Sequence, residues 1–244
     1  MKLTKVDIPS KNILLNGLIY AGEVSNGICA VLSHGYTASK ESLDLLAGYL
    51  AKKGTPCITF DARGHKLGSS GGSLDSIQDV VLDLRNVIAF AETRFDCEQI
   101  LLVGHSMGGI VSMAAAEGDI RDNGRVCGVV VIAAGPNPGA GFNSPVGEAM
   151  LTLRSDYVVG LKPIELLRQL GELVPSVDNL QSIPSLFVAA RGDVLVKSSR
   201  LQEMAERAGP LHRFMEVDGS HLEAPDKARG VVGTWIQRQF FEAT

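Results

Sequence analysis

The stretch VGHSMGG, residues 103–109, ends the apolar run QILLV and opens the small-residue run IVSMAAAEG, with Ser106 between two glycines. Runs of these types in this order predict a strand, a sharp turn and a helix. On such a turn a serine takes a strained, positive φ, and side chains at positions 104 and 108 would collide with the neighbouring strand and helix. The pattern therefore indicates that Ser106 is a nucleophile and not an ordinary turn residue.

A serine hydroxyl is a weak nucleophile at neutral pH unless a base accepts its proton and a carboxylate orients that base. The segments SLFVAARGD and RFMEVDGSH each predict a strand, followed by Asp193 and His221 respectively. Because both residues follow strand C-termini, we expect them at the sheet edge where the serine turn lies. We predict His221 as the base and Asp193 as its orienting carboxylate, with Asp218 or Asp61 as alternatives for the carboxylate.

Two backbone N–H groups are predicted to form an oxyanion hole. The N–H of Met107 lies at a helix N-terminus, where an unpaired donor and the helix dipole favour developing negative charge. The second N–H is expected from Tyr36, in the HGY turn that follows an earlier apolar strand. His34, in the same turn, is interpreted as a structural residue that holds this loop.

Short β-branched apolar runs alternate with segments of helical periodicity, which is typical of a parallel sheet with crossover helices. A short Asn-containing turn joins the first two runs and predicts an antiparallel edge. The predicted strands are Leu3–Ile8, Ile13–Tyr20, Ile28–Ser33, Pro56–Phe60, Gln99–Val103, Val126–Ala133, Ser185–Ala190 and Arg213–Val217. Apolar stripes predict further helices at residues 43–50, 77–91, 201–208 and 228–236.

Residues 136–184 interrupt this alternation, because they contain no strand candidate. Helical pieces are predicted around Glu148–Leu153 and Pro163–Leu173. Long insertions after a strand are uncommon unless they have a function, so we predict a lid on a core formed by residues 1–135 and 185–244. The lid residues expected to line an apolar substrate pocket are Met150, Leu151, Leu153, Val158, Val159 and Leu161.

The 244-residue chain carries a net charge of −4, which provides no basic field for nucleic acid or anionic lipid. No segment approaches the roughly 18 apolar residues of a membrane span, and no secretory signal is visible. We therefore expect a cytoplasmic protein whose partner is a small molecule, with no nucleic acid and no membrane. The four cysteines contain no Cys-x-x-Cys pair and are expected to be buried free thiols, without a metal site or redox motif.

Taken together, these motifs resemble the α/β-hydrolase superfamily along nearly the whole chain, and the order Ser, Asp, His is the one found in that superfamily. The segments that carry the resemblance are HGYTASKE (34–41), FDARGHKLGSSGG (60–72), VGHSMGG (103–109), ARGD (190–193) and DGSH (218–221). The sequence looks most similar to small bacterial serine esterases grouped with monoacylglycerol lipases and cinnamoyl (feruloyl) esterases. Lys66 and Leu67 depart from that group, which usually has a glycine there.

The resemblance implies the α/β-hydrolase fold, with an eight-stranded, mostly parallel sheet flanked by helices and a small helical lid. It also implies a serine esterase that cleaves esters of small to medium acyl or aromatic acids through an acyl-enzyme on Ser106, with no metal or organic cofactor. Hydrolysis of thioesters, amides or peptides, or C–C bonds uses the same triad and stays open, as does a ligand-binding module with very low turnover. Dehalogenases and epoxide hydrolases of this fold carry an aspartate at the serine position and are disfavoured.

Overall fold

The computed structural model describes residues 1–122 and 124–242. Eight strands within these residues form one sheet: β1 Lys2–Ser10, β2 Ile13–Ala21, β3 Ile28–Ser33, β4 Cys57–Phe60, β5 Gln99–His105, β6 Val126–Ile132, β7 Ser185–Ala190 and β8 His212–Val217. Their spatial order is β1-β2-β4-β3-β5-β6-β7-β8. β2 pairs antiparallel with both β1 and β4, and the other neighbours pair parallel. The predicted eight-stranded, mostly parallel sheet with an antiparallel edge is confirmed.

Seven α-helices accompany the sheet in the described residues: α1 Asp44–Lys52, α2 Ile77–Arg94, α3 Met107–Arg121, α4 Pro145–Arg154, α5 Pro163–Leu173, α6 Ser198–Ala208 and α7 Ala224–Phe240. α1 and α7 pack on one face of the sheet, and α2, α3 and α6 pack on the other. Each face has its own apolar core because successive strand residues point to opposite faces. No helix in the described part of the chain has the length and apolarity needed to cross a membrane.

Between β6 and β7 the chain forms α4, α5 and short 3-10 turns, in agreement with the two predicted helical pieces. Pro145 and Pro163 lie at the starts of these helices, where a fixed φ is favourable and a missing N–H does no harm. α5 buries Leu166, Leu170 and Leu173, which are three or four residues apart and so share one face. α4 buries none of its large apolar side chains. α5 is therefore the helix of this segment that is anchored to the rest of the protein.

The expectation of four buried free thiols is wrong for Cys29 and Cys97, and Cys127 is free but only half-buried. Cys29, in β3, and Cys97, just before β5, form a disulfide with their Cα atoms 5.9 Å apart, whereas Cys57 and Cys127 are free. The sheet register explains this pairing, because Cys29 lies opposite Ile100 on the neighbouring parallel strand. A separation of 68 residues in sequence gives no sign of that proximity.

Candidate active site

Ser106 occupies the sharp turn between β5 and α3, with φ 53° and ψ −118°. This left-handed backbone is strained for a residue other than glycine. A Cβ atom at position 104 would overlap the carbonyl oxygen of Gly108, and one at position 108 would overlap the carbonyl oxygen of Ser33. The two flanking glycines therefore let the serine turn pack tightly against α3 and β3.

Three side chains from separate loops meet at one edge of the sheet. His221 lies between β8 and α7, and its Nε2 is 3.1 Å from Oγ of Ser106. The Nδ1 of His221 is 2.7 Å from Oδ2 of Asp193, which follows β7. Because β5, β7 and β8 are parallel, their C-terminal ends bring these residues to the same edge. The structure thus brings the predicted serine, histidine and aspartate into a continuous chain of contacts.

The side chain of Asp193 is fully buried and is held by backbone donors. Its Oδ1 accepts hydrogen bonds from the N–H groups of Leu195 (2.8 Å) and Val196 (2.9 Å). Since an ionised carboxylate only accepts, Nδ1 of His221 donates to Oδ2, and the other imidazole nitrogen faces Ser106 with a free lone pair. This proton arrangement is the one that a general base requires.

The two alternative carboxylates bind other partners. Asp61 is buried and accepts hydrogen bonds from the side chain of Lys40 (2.6 Å) and from its backbone N–H (2.9 Å). Asp218 is exposed and pairs with Arg191 at 2.9 Å. Of the three aspartates considered from the sequence, Asp193 is the one hydrogen-bonded to the imidazole.

The turn after β3 lies against the serine turn, and a Cβ atom on Gly35 would be 3.2 Å from Cβ of Ser106. Tyr36 and Met107 both line the cavity that contains Ser106. As the first residue of α3, Met107 has an N–H without an acceptor inside the helix. Both predicted oxyanion-hole residues are therefore placed beside the serine.

Buried polar groups fix the turn after β3. The ring of His34 donates from Nδ1 to the carbonyl of Gly35 (2.8 Å) and accepts from the N–H of Ala62 at Nε2 (3.0 Å). Burial lowers the pKa of His34, so the ring is neutral. The buried Lys40–Asp61 ion pair ties the end of the same turn to the loop after β4. These contacts agree with the interpretation of His34 as a residue that holds the loop.

A small apolar cavity of about 40 Å³ lies beside the serine hydroxyl. The polar side chains that line it are those of Ser106, Tyr36 and His221, and no aspartate, glutamate, lysine or arginine is among its described lining residues. Its outer walls are formed by Phe142, Leu166, Leu167, Leu170, Leu195 and Val196. The site therefore suits a small, uncharged, mainly apolar group next to the serine.

The prediction that certain apolar lid residues line this pocket is wrong for the described walls. None of the six predicted residues is found there: Met150, Leu151, Leu153, Val158, Val159 and Leu161. Leu153 and Val159 are exposed, and Val158 is buried beside the backbone of His65. The correction has a packing reason. α5 turns its apolar stripe towards α3, whereas α4 packs mainly on the short 3-10 turns beside it. Within this segment the apolar wall is thus supplied by α5 and by Phe142, and not by the side chains of α4.

Two more histidines lie near the site in neutral form, because burial lowers the pKa of both His65 and His105 to about 3. His65 contacts the ring of Tyr36 edge-on, with 6.0 Å between ring centroids. His105 contacts the backbone of His221, with 2.9 Å between its Nε2 and the carbonyl oxygen of His221. Sequence reasoning missed this second contact, because no local pattern links residues 116 positions apart.

With this geometry in place, the sequence can be compared with known families. A sequence model of the family described as serine aminopeptidase, S33, matches residues 27–169, which is more than half of the chain. The chain therefore belongs to this family, and the predicted membership of the α/β-hydrolase superfamily is confirmed. It is a hydrolase by family. No curated protein sequence matches the chain significantly.

Solved structures show the same fold. An esterase from Pyrococcus furiosus is 21% identical with a TM-score of 0.75, and the match covers 98% of this chain and 91% of that one. An esterase from Butyrivibrio proteoclasticus, solved with ferulic acid bound, is 18% identical with a TM-score of 0.76 and coverages of 97% and 100%. The thioesterase domain from the curacin biosynthetic pathway is 14% identical with a TM-score of 0.70 and coverages of 97% and 99%. At these identities the likeness shows the α/β-hydrolase fold.

Proposed function

We propose that this protein is a serine esterase that hydrolyses carboxylic esters of small to medium, uncharged acyl or aromatic acids. The observation that carries the proposal is the contact chain from Asp193 through His221 to Ser106, with distances of 2.7 and 3.1 Å. It ends in a hydroxyl on a strained turn at the wall of an apolar cavity. A hydroxyl held in this way is activated for attack on an acyl carbon.

In the first half-reaction, Oγ of Ser106 attacks the carbonyl carbon while Nε2 of His221 takes the hydroxyl proton. The N–H groups of Tyr36 and Met107 stabilise the negative oxygen of the tetrahedral intermediate. The buried carboxylate of Asp193 stabilises the positive imidazolium. The imidazolium then protonates the alcohol oxygen as the C–O bond breaks, which leaves the acyl group on the serine.

The second half-reaction returns the enzyme to its starting state. Nε2 of His221 takes a proton from water, and the resulting hydroxide oxygen attacks the carbonyl carbon of the acyl-enzyme. The same two N–H groups bind the oxyanion, and the imidazolium protonates Oγ of Ser106 as the acid leaves. All these proton transfers are carried by side chains of the chain itself.

The cavity favours an ester over the peptide substrate named in the family description. An aminopeptidase must bind a charged α-ammonium group close to the scissile bond, and desolvation of that charge is costly without a carboxylate partner. The described walls near the serine are mainly apolar side chains and include no carboxylate, and Asp193 behind the imidazole already accepts three hydrogen bonds. An apolar acyl group meets no such penalty.

The proposal includes a lid formed by residues 136–184 on a core formed by residues 1–135 and 185–244. Leu166, Leu167 and Leu170 on α5 close the cavity from the side opposite the sheet edge, so a substrate contacts both parts. Burial of an apolar acyl group against α5 would release water from the space around the serine. Removal of that water strengthens the electrostatic interactions on which the reaction depends.

The test is a substrate panel with p-nitrophenyl acetate, butyrate and octanoate, a matched thioester, a matched anilide and an aminoacyl anilide. We expect multiple turnovers on the short and medium esters, and loss of turnover in Ser106→Ala. A fluorophosphonate should label Ser106 rapidly. Faster hydrolysis of the aminoacyl anilide than of any ester would contradict the esterase proposal, and slow single turnover with retained product would indicate a binding module instead.

A further inference from the structure

His105 is the last residue of β5 and directly precedes the serine, yet its side chain contacts a loop far along the chain. The ring is buried, with 4% exposure, and its Nε2 lies 2.9 Å from the backbone carbonyl oxygen of His221. The two imidazole rings are 5.0 Å apart between centroids and tilted by 47°. The strand that bears the nucleophile is thus bonded to the backbone of the residue that serves as its base.

The contact fixes the proton of the His105 ring. A carbonyl oxygen only accepts hydrogen bonds, so Nε2 carries the proton and donates it. The other nitrogen, Nδ1, is buried without a hydrogen-bond partner in the described residues, which is compatible with a neutral ring. A neutral ring whose one proton is bonded to a backbone carbonyl takes no part in proton transfer to the substrate. Its effect is on geometry.

The same ring also touches the oxyanion turn. A Cβ atom on Gly35 would lie 3.1 Å from Nδ1 of His105, so the glycine backbone packs directly on the imidazole. The residues on either side of His221 are held by other contacts: the carbonyl of Gly219 accepts from the N–H of Gly192 (2.9 Å), and the carboxylate of Glu223 accepts from the N–H (2.9 Å) and hydroxyl (2.7 Å) of Ser220. Among the hydrogen bonds of the described residues, the one from His105 is the bond made to the carbonyl of His221 itself.

We propose that His105 is a positioning residue that sets the distance between the His221 imidazole and the Ser106 hydroxyl by anchoring the carbonyl of His221. This inference rests on the proposed function for the role of His221. Without the anchor, the turn before α7 can shift outwards and lengthen the 3.1 Å contact between the imidazole and the hydroxyl. Displacements of this kind affect the reaction much more than substrate binding.

The experiment compares His105→Gln with His105→Leu. Glutamine carries an N–H donor at the same number of bonds from Cβ as Nε2 of histidine, whereas leucine fills space without a donor. A misplacement of about 1 Å lowers rates by roughly 10²-fold, so we expect His105→Leu to lose about 10- to 100-fold in kcat with KM unchanged. His105→Gln should recover most of that loss. Thermal unfolding shows whether each variant is folded.

Two further measurements keep the outcome clear. The rate of fluorophosphonate labelling of Ser106 should fall in parallel with kcat. Labelling depends on the base even if the wild-type protein hydrolyses no ester. Failure of the esterase proposal can therefore be told apart from failure of the positioning proposal. Nitrogen NMR of the wild-type protein should show the His105 proton on Nε2, which tests the bond even if His105→Leu does not fold. Equal kcat values for the folded leucine and glutamine variants, or a proton on Nδ1, would overturn the proposal.

Discussion

Replacement of Asp193 by asparagine tests how the proton of His221 is placed. Oδ1 of Asp193 accepts from the N–H groups of Leu195 and Val196, and the amide oxygen of asparagine can keep both bonds. The amide NH₂ must then occupy the position of Oδ2, 2.7 Å from Nδ1 of His221. Because NH₂ only donates, Nδ1 must become the acceptor and the imidazole proton moves to Nε2. The base would then present a proton to the Ser106 hydroxyl in place of a lone pair.

The expected loss is large although the side chain keeps its shape. In a Ser-His-Asp triad the same change lowers kcat by about 10⁴-fold, which corresponds to about 5.5 kcal/mol of transition-state stabilisation. KM should stay close to the wild-type value, because the walls of the cavity are unchanged. Steady-state hydrolysis of the best p-nitrophenyl ester gives both constants, and urea unfolding establishes that the variant is folded.

Asp218→Asn is the matched control, because Asp218 is exposed, precedes the same turn and pairs with Arg191 and not with the imidazole. It should retain wild-type kcat. If the folded Asp193→Asn variant kept more than about a tenth of the wild-type kcat, the orienting role of Asp193 would be refuted. Equal losses in both variants would instead indicate a general charge effect on the loop.

The other predictions concern packing and pH. Gly108→Ala should lower the free energy of unfolding by about 3 kcal/mol or more in urea titrations, because its Cβ overlaps the backbone of Ser33; wild-type stability would contradict this. Leu170→Ala should lose about 2–3 kcal/mol and shift ester preference towards longer acyl chains in a p-nitrophenyl series, because it enlarges the cavity. Burial holds the pKa of His65 and His105 at about 3 in the folded protein, below the ordinary 6.5. Between pH 3 and pH 6.5 the unfolded chain therefore binds more protons than the folded protein does. The free energy of unfolding should therefore fall on acidification through this window, by up to about 1.4 kcal/mol per pH unit for each histidine; equal urea midpoints at pH 7 and pH 5 would refute this.

Much of the fold could be predicted because its strands are short, uninterrupted apolar runs. The predicted strand Ile28–Ser33 has the bounds of β3, and the predicted strand Ser185–Ala190 has those of β7. In a sheet buried on both faces such runs need no alternation, and the polar loops between them mark their ends. The positions of Ser106, Asp193 and His221 follow from the same reasoning, because each lies within four residues of the C-terminal end of a strand.

What the sequence did not reveal depends on contacts between distant segments. The apolar residues of α5 follow helical spacing more closely than those of α4, but only packing shows that Leu166 and Leu170 face the site whereas Leu153 is exposed. The disulfide of Cys29 with Cys97 depends on the register of β3 and β5, which no local pattern encodes. The Asx turn of Asp193 had a local signal, since aspartate often accepts from N–H groups two and three residues ahead.

The helix that closes the cavity and the reacting groups belong to different parts of the polypeptide, although Leu195 and Val196 both line the cavity and donate N–H groups to Asp193. Leu166, Leu167 and Leu170 lie on one eleven-residue helix that contributes nothing to the proton relay, whereas Ser106 and His221 lie on loops at the edge of the sheet. The α5 wall can thus change without altering a residue of the proton relay. Under the proposed function, a helix with a different leucine pattern at residues 163–173 would change which acyl groups fit beside Ser106, while the contacts among Asp193, His221 and Ser106 remain in place.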